Sequence, residues 1–369
     1  MDRKKIPWWL PDVTGEAELR WVKKALDDNY INDGNITRQF EEKVASLVGT
    51  KYAVAVTSCT AALFMSLKAL NIGHGDEVIV PDMTFLATAN VVQMAGATLK
   101  LVDVDPNTLT ISVKAIRATI TAKTKAIIPV HVTGRAADMD TIMEIATEQG
   151  IPIIEDAAEA FMSKYKGKFM GTIGDIGCYS FSPNKIITTG QGGIVVTDDD
   201  HLYTKLRSLK DQGRPVTGTG GNDRIEMSGY NFKMTNLQAG VGLGQLEHLD
   251  KRIKKMRRIY EVYYQELKDV SGIQFYPCDL VGGAIPMWTD IRTNRRDELV
   301  DYLKNKNINS REYWLPMHTQ TPYKMSDEMF PNSTMLSPMS LWLPSAFCLT
   351  DDDVRYVSGV VKEFFNNIA

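Results

Sequence analysis

The chain has 369 residues, with 42 basic and 45 acidic side chains and a formal net charge of −3. That balance offers no basic stripe to neutralise phosphates, which excludes a dedicated nucleic-acid binder and a polybasic membrane anchor. Hydrophobic residues at 44% and charged residues at 24% exclude a disordered chain, and the length points to roughly two domains.

Cys59, Cys178, Cys278 and Cys348 stand far apart, so neither a CxxC metal pair nor a disulfide framework is expected. Reduced, mostly buried thiols in a compartment such as the cytoplasm fit that spacing better. The five histidines are scattered without ligand spacing, so no metal site is expected. The charged start, Met1 to Trp9, is followed by no apolar signal core, and no run approaches the roughly 18 apolar residues of a membrane span.

From residue 50 to 200 short apolar runs alternate with amphipathic stretches. Strands are predicted at 52–56, 77–80, 99–102, 126–130 and 151–154. Helices are predicted at 60–70, 87–95, 113–119 and 139–148. Continuous apolar strands separated by helices imply an α/β domain with a mostly parallel sheet covered on both faces. One long helix is predicted over 237–268. A strand at 285–291 and helices at 296–304 and 351–365 make a smaller α+β unit beyond it. The boundary is placed at residue 250, giving 1–250 with an N-terminal arm and 251–369.

Ligands of parallel sheets bind at the carboxyl ends of the strands. The strand at 151–154 runs into Glu155-Asp156-Ala157-Ala158-Glu159, and downstream lies Ser182-Pro183-Asn184-Lys185, followed by a turn ending Gly190-Gln191-Gly192-Gly193. A lone acid there is an ordinary helix cap, and a lone lysine an ordinary surface charge. Together they suit pyridoxal phosphate. A partly buried Lys185 favours the neutral amine that attacks a carbonyl, and Asp156 pairs with the pyridine nitrogen. Thr57-Ser58-Cys59-Thr60-Ala61-Ala62 supplies hydroxyls and N–H groups at a strand-to-helix junction, where an anion is favoured. Phe85 follows another strand and offers a flat apolar neighbour for the ring.

These stretches, with residues 81–90, 129–140 and 228–250, resemble the DegT/DnrJ/EryC1/StrS family of pyridoxal-phosphate sugar aminotransferases over nearly the whole chain, from Thr14 onward. Residues 155–160 and 184–193 look most like its perosamine synthase branch, which aminates C4 of a GDP-linked 4-keto-6-deoxy sugar. The resemblance implies the fold type I architecture: a large domain around a mostly parallel seven-stranded sheet, and a smaller C-terminal α/β domain. It implies that Lys185 is the Schiff-base lysine and that Asp156 is the partner of the pyridine nitrogen. It also implies Phe85 as the stacking ring, Glu159 beside that ring, and Thr60, Ala61 and Ser180 as the phosphate cradle. Asn231 matches an asparagine that reaches the phosphate of a neighbouring subunit, which implies a homodimer with shared active sites. His131 and His318 match positions near the sugar-nucleotide pocket, although a structural histidine explains each equally well. L-Glutamate is the implied amino donor.

Three departures bear on this. Ser58-Cys59-Thr60 stands where the family usually has Ser-Gly-Thr, which places a side chain beside the phosphate loop. Ser182-Pro183 replaces a pair such as Phe-Gly before Asn-Lys. Relatives with His in place of the lysine dehydrate C3 of the sugar, an outcome that Lys185 disfavours. Amination at C3, a UDP- or dTDP-linked substrate, and a non-catalytic cofactor-binding regulator are the competing readings. Specificity is expected in residues 213–224 and 311–323.

Overall fold

The structure, a computed structural model, describes residues 5–13, 15–215, 225 and 227–366. Thr14 and residues 216–224 of the expected specificity loop lie outside the described residues. Helices α1 (Glu16–Asp27) and α2 (Asn35–Val48) precede strand β1 (Tyr52–Val56) and helix α3 (Cys59–Ala69). Strands and helices then alternate: β2 (Glu77–Pro81), α4 (Leu86–Met94), β3 (Thr98–Val102), α5 (Val113–Thr119), β4 (Thr124–Ile127), α6 (Met139–Gln149) and β5 (Ile154–Asp156). A small hairpin of β6 (Lys164–Tyr165) and β7 (Lys168–Phe169) leads to β8 (Ile176–Ser180) and β9 (Gly193–Thr197). Helices α7 (Asp200–Lys210), α8 (Asn236–Leu246) and α9 (Leu249–Leu267) follow. The C-terminal part holds β10 (Gln274–Phe275), β11 (Thr289–Arg292), α10 (Arg296–Asn305), β12 (Arg311–Glu312), α11 (Pro331–Leu336), β13 (Ser340–Leu343) and α12 (Asp351–Asn366).

Strands β3, β2 and β4 pair in parallel, as do β5 and β8, while β9 pairs antiparallel with both β8 and β1. Parallel bridges Ile127–Ile153 and Val130–Asp156 join the two groups. The order is β3-β2-β4-β5-β8-β9-β1, a mostly parallel seven-stranded sheet in which β9 alone runs opposite. Every position of β8 and β9 is buried, as expected for strands covered on both faces.

Strand β5 starts at Ile154, later than the apolar run predicts, and takes in Asp156 as its last residue. Pro152 has no N–H to give to a ladder, so regular pairing begins beyond it. The helix predicted over 237–268 is two helices, α8 and α9, which break at Glu247–His248. Helix α8 must lie close against α1: a Cβ at Gly244 would sit 2.5 Å from the Glu18 backbone nitrogen. The chain then turns, and α9 carries its buried face, including Ile259, Tyr263 and Leu267, to the C-terminal unit.

That unit is built on the antiparallel sheet β10-β11-β13-β12, with α9, α10 and α12 enclosing a core of residues such as Ile291, Leu299, Leu341 and Val357. The N-terminal arm packs here too, although the sequence assigns it to the large domain. Ile6 bridges Ile308, and Ser345 donates its N–H to the carbonyl of Trp8. No helix among the described residues is long and apolar enough to cross a membrane.

On the large sheet, Phe40 of α2 is fully buried and meets Phe181 edge-on, with ring centroids 5.2 Å apart. Phe40→Ala should lower stability by about 3–5 kcal/mol. The expected readout is a lower midpoint of urea unfolding with an unchanged slope.

Candidate active site

The carboxyl ends of β1, β2, β5 and β8 open on a cavity of about 380 Å³. Ser58, Cys59 and Thr60 line it from the start of α3, Thr84, Phe85 and Thr88 from the turn into α4, and Asp156 and Glu159 from the end of β5. Ser180 and the loop 182–185 complete that side. Trp288, Arg311, Trp314 and Trp342 close it from the C-terminal unit.

Local chemistry explains each placement. Ser58 caps α3, its Oγ accepting the Ala61 N–H at 3.1 Å, and Ala62 donates to the Ser58 carbonyl. Ala61 was expected to face the phosphate, but its N–H is taken by this cap. The N–H groups of Cys59 and Thr60 are the ones left open at this helix end among the described residues. Lys185 sits on the loop between β8 and β9, which is closed by Phe181 N–H to Gly192 O and Thr189 N–H to Phe181 O. Buried Ile186 and Ile187 anchor that loop beside it. Of the glycines that end this turn, Gly193 has a steric role. A Cβ there would lie 2.4 Å from the Cys59 backbone nitrogen. Only glycine lets β9 start directly under the first residues of α3.

Asp156 is buried. Its Oδ2 accepts from Thr88 Oγ1 at 2.7 Å, and its Oδ1 accepts the Ala158 N–H at 3.1 Å. The Lys185 side chain is 10% exposed and its Nζ donates to Glu159 Oε1 at 3.2 Å. The amine also lies 5.1 Å from the Trp288 ring centroid. A solitary buried amine is what the sequence leads one to expect; the structure gives it a carboxylate partner. Phe85 is 53% exposed although large and apolar, and it lines the cavity, so its ring face is open to a planar ligand.

The structure thus brings Thr60, Phe85, Asp156, Glu159, Ser180 and Lys185 together. Asn231 is exposed, pairs with Asp211 and does not line this cavity. The expected substrate contacts of His131 and His318 need correction, because both rings are fully buried outside the cavity lining. His131 Nδ1 accepts the Ala137 N–H and its Nε2 lies 2.8 Å from Glu155. His318 Nδ1 lies 2.6 Å from Asp82, and its ring stacks on Phe330. Both are structural.

Sequence reasoning missed Thr88, Trp288 and Trp342, and it marked Arg311 and Trp314 only as part of the segment 311–323. The Thr84–Thr88 spacing, one helical turn, carried a signal for the first. Trp288 and Trp342 carried none, since only the tertiary fold brings them in.

A family model described as the DegT/DnrJ/EryC1/StrS aminotransferase family matches residues 12–362. The chain belongs to that family. A GDP-perosamine synthase of Escherichia coli O157:H7 is 39% identical over 99% of this chain and 100% of its own length. A second, from Caulobacter vibrioides, is 39% identical over 98% of this chain and 99% of its own. Among solved structures, the PLP-form of a putative sugar aminotransferase from Streptococcus pneumoniae superposes with a TM-score of 0.93. It is 27% identical and covers 99% of this chain and 100% of its own.

This sugar aminotransferase is therefore a pyridoxal-phosphate enzyme, and its cavity suits that cofactor. It offers an amine, a buried carboxylate, an exposed aromatic face and a helix start where the Cys59 and Thr60 N–H groups stay open. Cys59, where the family usually has glycine, has its side chain in the cavity wall without removing the backbone donors. Burial raises its thiol well above the ordinary value, so it stands there as a neutral group.

Burial also raises the Asp156 carboxyl above its ordinary 3.8. Hydrogen bonds from Thr88 and Ala158 and the charges of Lys185 and His131 offset this only in part. A carboxyl raised by folding favours the folded state when protonated. That contribution is full below about pH 3.8 and is lost as pH rises through the folded value. The cofactor-free wild type should therefore lose stability relative to Asp156→Asn as pH rises above about 3.8. Asp82, raised mainly by burial as well, is common to both proteins and cancels in the comparison. Melting curves across that range check the sign, and added pyridoxal phosphate should stabilise wild type more than the variant.

Proposed function

We propose that this aminotransferase converts a GDP-linked 4-keto-6-deoxy sugar to the 4-amino sugar with L-glutamate as donor. The observation that carries the chemistry is the Lys185–Glu159 pair in one cavity with Asp156 and Phe85. The two GDP-perosamine synthases, 39% identical over nearly full length, support the substrate.

Bound pyridoxal phosphate supplies the carbonyl that takes up the amine and the ring that delocalises the electron pair at the reacting carbon. Lys185 would hold the cofactor, and its freed Nζ would move a proton at the donor α-carbon and then at sugar C4. Glu159 accepts from that amine and fixes where it returns. Asp156 would keep the pyridine nitrogen protonated, and Phe85 would cover one ring face. Ser180, Thr60 and the open N–H groups of α3 hold the phosphate. Glutamate leaves as 2-oxoglutarate, and its nitrogen stays on the sugar.

The working unit in this reading is a homodimer with shared active sites. Asn231 supports it, being exposed and away from its own cavity, and so do the exposed apolar residues Leu19, Leu26, Tyr30 and Ile31 of the N-terminal region. Residues 1–250 form the cofactor domain and 251–369 the smaller domain at its mouth, with the arm strapped across both. The cytoplasm keeps the buried thiols of Cys59 and Cys178 reduced.

Purified enzyme should turn over a GDP-4-keto-6-deoxy sugar with glutamate at least ~10-fold more efficiently than UDP- or dTDP-linked counterparts, a difference of about 1.4 kcal/mol in transition-state binding. Equal or better turnover of either counterpart would sink the GDP assignment. Lys185→Ala should show no turnover and no visible absorbance of lysine-bound cofactor; turnover at the wild-type rate would sink the role of the lysine.

A further inference from the structure

We propose that Thr133 is a positioning residue, which holds Glu159, and through it Lys185, in fixed register with the C-terminal sheet; this rests on the assignment of Lys185 above. Thr133 follows β4 and is buried, with φ 51° and ψ 29°. That left-handed conformation is costly for a β-branched residue, and such strain persists only where the surroundings enforce it.

The strained conformation aims the Thr133 N–H at Glu159. The N–H donates to Oε2 at 3.0 Å, while Lys185 Nζ donates to Oε1 at 3.2 Å. Each carboxylate oxygen is thus claimed by one donor, and Thr133 decides the orientation of the group that meets the lysine. Relaxing Thr133 to a right-handed or extended conformation would turn its N–H away and free Glu159 to rotate.

Contacts with the C-terminal unit hold Thr133 in place. Its Oγ1 donates to Asp290 Oδ2 on β11 at 3.1 Å, and its carbonyl accepts the Met287 N–H at 3.0 Å. Gly134, next in the chain, has φ 88°, and a Cβ there would lie 1.9 Å from the Ile285 carbonyl oxygen. Asp290 is itself fixed. Arg135 donates to both its oxygens at 2.9 and 2.8 Å, and Tyr313 donates to Oδ2 at 3.1 Å. The path from C-terminal sheet to reacting amine runs Asp290, Thr133, Glu159, Lys185, with a hydrogen bond at each step.

Three variants test this. Thr133→Ala deletes the hydroxyl, Thr133→Ser restores it, and Thr133→Gly removes the strain as well as the hydroxyl. Thr133→Ala should lower kcat roughly ten- to hundred-fold, the scale of a misplacement of about 1 Å. KM for glutamate should move less than about twofold, and Thr133→Ser should recover most of the loss. In the cofactor-free protein, hydrogen exchange across residues 131–135 should quicken in Thr133→Ala and in Asp290→Asn, but not in Thr133→Ser. Thr133→Gly, free of strain, should melt no lower than Thr133→Ala and still show the low kcat. Wild-type kcat in Thr133→Ala overturns the proposal even if its melting temperature falls. So does a loss that serine fails to restore, or exchange that stays at the wild-type rate. Turnover by Lys185→Ala would defeat the assignment of the lysine and leave the exchange result standing. An inactive Lys185→Ala beside a fully active Thr133→Ala would defeat the positioning role alone.

Discussion

The buried pair of Lys185 and Glu159 is the constraint around which the rest of the site is arranged. An ammonium that is one-tenth exposed loses much of its hydration, and only a well-placed carboxylate with its own second donor offsets that. Glu159 has that donor in Thr133. Asp156 adds another buried acid to the same cavity, where it accepts hydrogen bonds from Thr88 and Ala158 and faces no directly bonded cation. The two acids therefore sit in different environments. One is satisfied by the protein's own lysine, and the other keeps a desolvation cost that raises its carboxyl above the ordinary value. In the proposed function, a protonated pyridine nitrogen would relieve that cost.

Topology brings these groups together. In a fully parallel sheet, the lysine loop after β8 would lead into a crossover helix. Here the chain doubles straight back as the antiparallel β9, so Lys185 stays over the carboxyl ends of β5 and β8. The reversal requires β9 to start beneath the first residues of α3, which Gly193 alone permits. One turn thus presents the lysine and also packs against the helix start where an anion is favoured.

Much of this was legible in the chain. Alternating apolar strands and helices announced the parallel sheet. The acid and lysine following successive strands pointed to the cavity that they both line, because both signals are local. What the sequence hid was non-local or steric. Pro152 shifted β5 so that Asp156 became its last residue, and a break at Glu247–His248 divided one predicted helix into two. His131 and His318 stood as ligand contacts through the family resemblance, with a structural histidine an equal reading. Each instead satisfies a buried carboxylate, Glu155 or Asp82, that sequence spacing could not pair with it. The strain at Thr133 leaves no trace in composition, since nothing in Val132-Thr133-Gly134 reveals a positive φ before the glycine.

The C-terminal unit is more than a cover for the cavity. Its tryptophans form a wall in which Trp288 lies under the Lys185 amine and Trp342 packs against Trp288 with centroids 5.0 Å apart. Trp8 of the N-terminal arm joins the same stack, and Trp9 donates its indole N–H to the Pro183 carbonyl on the lysine loop. The buried, bidentate Arg135–Asp290 pair fixes the angle between the sheets at one point beside this wall. Such a pair adds little net stability over apolar packing, but removing one partner leaves an uncompensated buried charge, so its geometry is exacting. A free hinge at that point is incompatible with it. Away from that clamp, the Arg311 guanidinium rests on the rings of Trp8 and Trp342, which ties the N-terminal arm to the same wall.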